Sequence, residues 1–245
     1  MNNNTSFRRI AAITAIVSAP MALANVFLVL LAAEFNFDLM SDPAGFIAVG
    51  AERADLVRWS WILDVFGRYF LLVPAALYLW YWLKPKNPNL VSMYTVLGLA
   101  HILIGAMAGT LLASVWPPMM RAYAQASGTQ REMLTVVFQA TANLTHAGWF
   151  NILETIPGGF WLLGIGLILR TERRILGIAT IVLGIASLVI GVETTLGIEA
   201  LAMPALFVYL FFAPVWALWL GLVIARDAGT ILDHRMSSIQ TGVPS

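Results

Sequence analysis

Long runs of apolar residues dominate this chain, and short polar stretches separate them. A helix needs about 20 mainly apolar residues to cross roughly 30 Å of hydrocarbon. Six stretches meet or approach that length, and we predict spans at residues 10–33, 57–83, 90–116, 143–169, 175–192 and 202–225. The pattern therefore predicts an all-α fold, a polytopic integral membrane bundle of six transmembrane helices.

The composition agrees with lipid as the main solvent, because 60% of the residues are hydrophobic, 11% are charged and the mean hydropathy is +0.81. One alternative concerns the first apolar stretch. Basic residues at Arg8 and Arg9, followed by an apolar run and Ala22-Leu23-Ala24, are also typical of a cleavable signal peptide. The apolar character continues to Ala33, which favours a span. Loss of this segment would leave five helices in the same orientation.

The charged residues in the connections sort by side. The basic residues predicted on one side of the bundle are Arg8, Arg9, Lys84, Lys86, Arg170, Arg173, Arg174, Arg226 and Arg235. The acidic residues predicted on the other side are Glu34, Asp38, Asp42, Glu52, Asp55, Glu132, Glu193 and Glu199, and the basic residues predicted there are Arg53, Arg58, Arg121 and Arg131. Because basic connections favour the cytoplasmic side, we predict that both termini are cytoplasmic.

The connections differ in length between the two sides. Those on the basic side are very short, whereas 34–56 and 117–142 are longer and are predicted to be extracytoplasmic. Short connections favour antiparallel neighbours, so we expect an up-and-down bundle forming a single transmembrane domain over residues 1–245. We expect 117–142 to lie along the outer surface as a helix, and 227–245 to form a cytoplasmic tail.

Small residues mark the faces where helices are expected to pack, because lipid offers no hydrophobic drive for association between spans. In the fifth span they recur every three or four positions, at Gly177, Thr180, Gly184, Ser187, Gly191 and Thr194. The third span has Gly98, Gly105 and Gly109 on one face. We expect packing within one bundle, with a homodimer contact as the alternative. The predicted kink points are Pro20, Pro74, Pro157 and Pro214.

Ionisable residues inside the spans are the strongest functional signal, because a charge at the bilayer centre costs roughly 3 kcal/mol even on insertion scales. The candidates are Asp64, Arg68, His101 and Glu154. Helical rise places Asp64 about 10 Å below the outer boundary, and Arg68 and Glu154 about 16 Å below it. His101 lies about 16 Å above the inner boundary. We predict that these residues of three helices converge near mid-membrane.

Polar and aromatic residues lead from the outer surface towards this cluster on the second and fourth spans. The predicted outer vestibule consists of Arg58, Trp61, Asn143, His146 and Asn151. Two interpretations of the cluster remain open. It is either a salt-bridged polar core that fixes helix register, or a pocket open to the outer face and closed towards the cytoplasm. Such a pocket would bind a small polar or amphipathic ligand or pass protons.

Several classes of chemistry are excluded or disfavoured. Without cysteine the chain has no disulfide, thiolate metal site or nucleophilic thiol. The lysines, Lys84 and Lys86, lie in a connection, so none is buried to form a Schiff base. His234 is in the tail, and His101 and His146 differ by roughly 9 Å in depth, which disfavours paired haem ligation. We predict no metal, no cofactor, no catalytic residue and no nucleic-acid partner.

Three short patterns carry a resemblance to a known family. They are Arg173-Arg174-Ile175-Leu176-Gly177, Trp216-Ala217-Leu218-Trp219-Leu220-Gly221 and, more weakly, Phe7-Arg8-Arg9-Ile10-Ala11-Ala12. Together they resemble a bacterial family of uncharacterised multi-helix integral membrane proteins, whose domain has no assigned function. The resemblance implies a multi-pass protein of the bacterial cytoplasmic (inner) membrane with about six helices. It implies no catalytic residues.

Two functions from different classes follow. We predict a non-enzymatic membrane protein, either a small-ligand binder or carrier or an accessory subunit of a membrane complex, with the polar cluster as its site. The alternative is an intramembrane enzyme that uses carboxylate and histidine acid-base chemistry on a lipid or isoprenoid-like substrate. The expected partners are membrane lipids and a homo-oligomer or membrane-complex subunit.

Overall fold

The computed structural model describes residues 3–36, 39, 42–198 and 201–226. Helices make up 90% of that structure, and the described residues form no strand. The helices long and apolar enough to cross a membrane are Thr5–Ala32, Ala51–Leu83, Pro88–Gln125, Gly128–Leu169, Arg174–Leu196 and Met203–Arg226. The predicted all-α fold with six membrane-spanning helices is confirmed.

The six spans form a ring in chain order. Each span packs against its neighbours in the chain, and the sixth packs against the first. This is the up-and-down arrangement that short connections favour. An ion pair between Lys86 and Glu172 joins two of the short connections. Because the number of antiparallel spans is even, the N-terminal end of the first described helix and the C-terminal end of the last lie on the same side of the bundle. That this side is cytoplasmic stays a prediction.

The small-residue face of the fifth span packs against the fourth span. A Cβ atom added to Gly184 would lie 2.5 Å from the backbone nitrogen of Leu163, and one added to Gly191 would lie 2.7 Å from Oγ1 of Thr155. Side chains therefore do not fit at this contact. The Ser187 hydroxyl crosses the same contact and donates to the carbonyl oxygen of Thr155 at 2.9 Å. The small-residue face of the fifth span is thus occupied within the bundle, as expected.

The second and fourth spans both contain a wide turn in which N–H groups bond to carbonyls five residues earlier. The second span has this π-helical geometry at Val65–Tyr69 and a 3-10 turn at Phe70–Leu72, and the fourth span has it at Leu144–Glu154. A proline follows each stretch, at Pro74 and Pro157. Proline supplies no N–H, and local π and 3-10 adjustments re-satisfy backbone groups that proline frees.

The third and fourth spans extend further than hydropathy predicts. They run to Gln125 and from Gly128, and only Ala126 and Ser127 separate them. Segment 117–142 is therefore a helical hairpin continuous with both spans, and not a separate helix lying along the surface. The physical reason is that its apolar side chains have a protein surface to cover. They pack with residues of the 34–56 segment and of the adjoining ends of the first three spans in a second core of Ala32, Ala33, Phe46, Ile47, Ala54, Val57, Leu112, Trp116, Met120, Phe138 and Ala142.

This second core places the two long connections at the same end of the bundle, which we call the hairpin end. Two ion pairs lie there, Arg53 with Glu34 at 2.9 Å and Arg121 with Asp55 at 2.6 Å. The predicted tail 227–245, which includes His234 and Arg235, lies outside the described residues, as do Asp38 and Glu199.

Candidate functional site

The first part of the site is an ion pair within the second span. Nε of Arg68 donates to Oδ1 of Asp64 at 2.8 Å, and the two side chains are 6% and 5% exposed. Residues four apart face each other along a helix, which places this pair on one side of the span. A polar residue of the first span adjoins it, because Nη2 of Arg68 lies 3.5 Å from Oδ1 of Asn25. The Asn25 amide also donates to the carbonyl oxygen of Ser60 at 3.0 Å.

The second part of the site joins the third and fourth spans. Nδ1 of His101 lies 3.2 Å from the backbone carbonyl oxygen of Glu154 and 3.2 Å from its Oε1 atom. A carbonyl oxygen only accepts, so this contact requires the proton on Nδ1. In the neutral ring Nε2 is then an acceptor, and it lies 3.4 Å from the hydroxyl of Tyr209 in the sixth span. The histidine is held from two sides.

Glycines create the space for these side chains. A Cβ atom added to Gly158 would lie 2.4 Å from Nδ1 of His101, and one added to Gly105 would lie 2.1 Å from the ring of Tyr69. The close approach of helices at small residues therefore holds the polar groups in place. The third-span glycines contact the second and fourth spans, as their shared face predicts.

Tyr69 connects the two parts. Its ring centroid lies 5.9 Å from that of His101, and Tyr69 also interacts with the Glu154 side chain. Asp64 and Arg68 also interact electrostatically with Glu154, although the ion pair that Arg68 forms within 4.0 Å in the described structure is with Asp64. The structure therefore brings the predicted cluster of Asp64, Arg68, His101 and Glu154 together, with every member at least 95% buried.

A small cavity adjoins the cluster on the side of the sixth span. Its volume is about 20 Å³, and Arg68, His101, Trp161 and Tyr209 contribute to its wall. Two of these residues also contain a buried donor, Nη1 of Arg68 and Nε1 of Trp161, that has no hydrogen-bond partner in the described structure. Oε1 of Glu154 is likewise without one. A polar cavity needs roughly 10–15 Å³ to hold one water, so this space fits a single water molecule.

The predicted outer vestibule is divided among different surroundings. Trp61 and His146 come together, with ring centroids 5.7 Å apart, in an aromatic cluster at the hairpin end. Trp61 also stacks on Phe150 at 5.7 Å and 18°. This aromatic cluster consists of Phe46, Trp61, Trp116, Phe138, His146 and Phe150. Aromatic rings therefore occupy the region where we expected an open path to the site.

The other three vestibule residues lie apart from those rings. Asn143 is exposed, and Arg58 is exposed in a groove between the second and third spans. Asn151 is half-buried, and its carbonyl oxygen accepts from the hydroxyl of Thr155. For Asn143 and Asn151 the physical reason is the π-helical stretch Leu144–Glu154 of the fourth span, which changes the angle between successive side chains. Residues that would share one face of a helix with 3.6 residues per turn therefore lie on different faces here.

No group of three or more histidine, aspartate and glutamate side chains within the described ranges is placed to hold a metal ion. His101 and His146 belong to different clusters, the polar site and the aromatic cluster. The geometry instead offers donors and acceptors for hydrogen bonding. Sequence reasoning missed Asn25, Tyr69 and Tyr209 as members of the site. Asn25 was detectable as an amide inside an apolar run.

Comparison with known proteins gives a family and no residue roles. A family described as "Domain of unknown function (DUF4386)" matches residues 10–223. No match was found among curated proteins or among solved structures. The resemblance to an uncharacterised family of multi-helix membrane proteins is therefore confirmed, and the match extends over most of the chain and into all six spans.

Proposed function

The chain belongs to the DUF4386 family, and from that premise we propose that it is a non-enzymatic membrane protein that binds or carries a small ligand at its buried polar cluster. The supporting observation is that two residues of one cavity wall, Arg68 and Trp161, each have a buried donor without a partner, Nη1 and Nε1. A buried donor without a partner costs about 1–3 kcal/mol. A ligand oxygen that reaches either donor removes its share of that cost.

The described conformation leaves little room at this site. Its cavity of about 20 Å³ admits one water molecule, and the aromatic cluster fills the side towards the hairpin end. A ligand with a carboxylate, phosphate or carbonyl oxygen takes the place of that water when the spans move apart. A guanidinium suits such oxygens because it presents several fixed donors.

Thermal unfolding of the purified protein tests this proposal against a panel of acetate, longer carboxylates and phosphate. A ligand at one hundred times its Kd stabilises by about 2.7 kcal/mol, which corresponds to a rise in Tm of roughly 5–10 °C. Trp161→Phe removes the indole donor and replaces a fully buried indole by a smaller ring, so it is expected to lower the unliganded Tm and, in addition, to weaken the ligand-dependent shift.

Trp59→Phe is the matched control, because Trp59 is 57% exposed. It is expected to leave both the shift and the unliganded Tm unchanged. A panel that produces no shift with the wild-type protein counts against the binder. A lower unliganded Tm for Trp161→Phe combined with an undiminished ligand-dependent shift would point to a purely structural role for that indole.

One observation favours the enzymatic alternative. The unpartnered Oε1 of Glu154 lies 3.2 Å from Nδ1 of His101, which is the reach of an acid-base pair. If the protein is such an enzyme, Glu154→Gln abolishes the conversion of added membrane lipids and leaves the Tm unchanged. Mass spectrometry of the lipids measures the conversion. Because a cavity of about 20 Å³ has no room for a lipid, we prefer the binding function to the enzymatic one.

Location and partners complete the proposal. We propose the bacterial cytoplasmic membrane, with both termini and the short basic connections inside, as the positive-inside rule favours. The long hairpin end then faces outwards. Membrane lipids and a homo-oligomer or a complex subunit are the proposed partners, and a role as accessory subunit follows if no small ligand binds.

A further inference from the structure

A separate groove lies on the surface of the bundle between the second and third spans. Its volume is about 650 Å³, within the range of ordinary ligand sites. Phe66 and Phe70 line it and are each 47% exposed, so its floor is open to the lipid phase. Arg58 and Arg121 line the same groove nearer the hairpin end. The groove is thus apolar along its length and basic at one end.

We propose that this groove binds one anionic glycerophospholipid. The phosphate lies at Arg58 and Arg121, and an acyl chain lies over Phe66 and Phe70. The proposal is independent of the ligand at the buried cluster.

The length of the groove matches one leaflet. Phe70 follows Arg58 by twelve residues, which is at most about 18 Å of helix, because the π-helical stretch Val65–Tyr69 rises less per residue than an α-helix. On the facing span, Thr110 precedes Arg121 by eleven residues, or about 16 Å. Half of a bilayer's hydrocarbon core is about 15 Å thick. A lipid with its headgroup at the arginines therefore has its acyl chain beside the groove down to about mid-membrane.

The charges select an anionic headgroup. Arg121 is paired with Asp55 at 2.6 Å, whereas Arg58 forms no ion pair with any residue of the described ranges. The basic end of the groove therefore has one uncompensated positive charge. A phospholipid with one net negative charge neutralises it, and a zwitterionic lipid does not. Guanidinium groups also bind phosphate oxygens through two parallel hydrogen bonds.

Native mass spectrometry of the delipidated full-length protein, incubated with equal amounts of phosphatidylglycerol and phosphatidylcholine, tests the proposal. The wild-type protein is expected to retain one phosphatidylglycerol in preference. One arginine near a membrane surface is worth about 1 kcal/mol, so Arg58→Gln is expected to lower the preference about fivefold. Arg58→Lys keeps the charge and is expected to retain most of it.

Arg131→Gln is the matched control, because Arg131 stacks on Tyr123 at 4.4 Å at the hairpin end and does not line the groove. It is expected to leave the preference unchanged. Ser114→Trp places a large ring in the groove and is expected to reduce retention of both lipids. An equal loss in Arg58→Gln and Arg131→Gln, or undiminished retention in Ser114→Trp, would overturn the proposal. A lipid-free dimer of the wild-type protein that becomes monomeric in Ser114→Trp would also overturn it, because a second copy of the chain would then occupy the groove.

Discussion

Neutralising the buried ion pair in two steps separates its structural contribution from its part in binding. At 2.8 Å and an effective dielectric of about 20, the attraction between Arg68 and Asp64 is about 6 kcal/mol before the cost of desolvation. Both side chains are at least 94% buried, so water does not replace a missing partner. We therefore expect Asp64→Asn to destabilise the protein by about 3–5 kcal/mol, because it leaves the Arg68 charge uncompensated.

The double variant Asp64→Asn/Arg68→Met should be far more stable than the sum of the two single variants implies. Replacing a buried pair by uncharged residues of similar volume is often neutral or stabilising. The free energy of unfolding is measured from tryptophan fluorescence as denaturing detergent is titrated into mixed micelles. We expect a coupling energy of at least about 3 kcal/mol between the two positions.

The pair of Arg121 and Asp55 supplies the control for this cycle. Its side chains are 42% and 72% exposed, so neutralising it should cost at most about 1 kcal/mol. Additive losses in the buried cycle would refute the reasoning, because they would mean that the two charges do not stabilise each other. If the double variant folds, it also tests the site. If the pair is purely structural, the double variant keeps the ligand-dependent Tm shift. If the Arg68 guanidinium binds the ligand, the double variant loses that shift.

Two further predictions concern contacts around the site and are measured in the same titration. Gly158→Ala should destabilise by about 1–3 kcal/mol because its Cβ meets Nδ1 of His101 at 2.4 Å, whereas Gly148→Ala has its nearest neighbour at 3.9 Å and should be neutral or slightly stabilising. Equal stability of the two variants would contradict the close packing. Trp216→Phe should cost more than about 1 kcal/mol, because it removes the 2.8 Å hydrogen bond from Nε1 to Oγ1 of Thr180 and leaves a cavity beside the smaller ring, and an unchanged stability would argue against both contacts.

The number of spans was predictable from sequence, and their outer ends were not. Hydropathy records where lipid ends, but a helix continues wherever its apolar side chains find another surface to cover. Phe138 is fully buried in the core at the hairpin end, although the sequence places it outside the predicted fourth span. The third helix likewise continues beyond Trp116 to Gln125. These extensions depend on packing against residues far away in the chain, which local hydropathy does not contain.

The convergence of the charged residues was predictable for a different reason. A charge in the bilayer is costly enough that depth alone restricts where its partners lie. Asp64, Arg68, His101 and Glu154 meet as their depths suggest, but depth does not give the pairing. Tyr69 and Tyr209 were missed because an aromatic ring with a hydroxyl is equally common at a membrane interface.

The wide turn of the fourth span explains why the path to the site was harder to predict than the site itself. Asn143 and Glu154 lie on one stripe if the helix has 3.6 residues per turn, yet the structure exposes the first and buries the second. The intervening Leu144–Glu154 stretch has π-type hydrogen bonds, so each turn holds more residues and the stripe rotates. His146 and Phe150 consequently face Trp61 and close the bundle towards the hairpin end. A ligand that reaches Arg68 must therefore either displace this aromatic contact or enter between the spans.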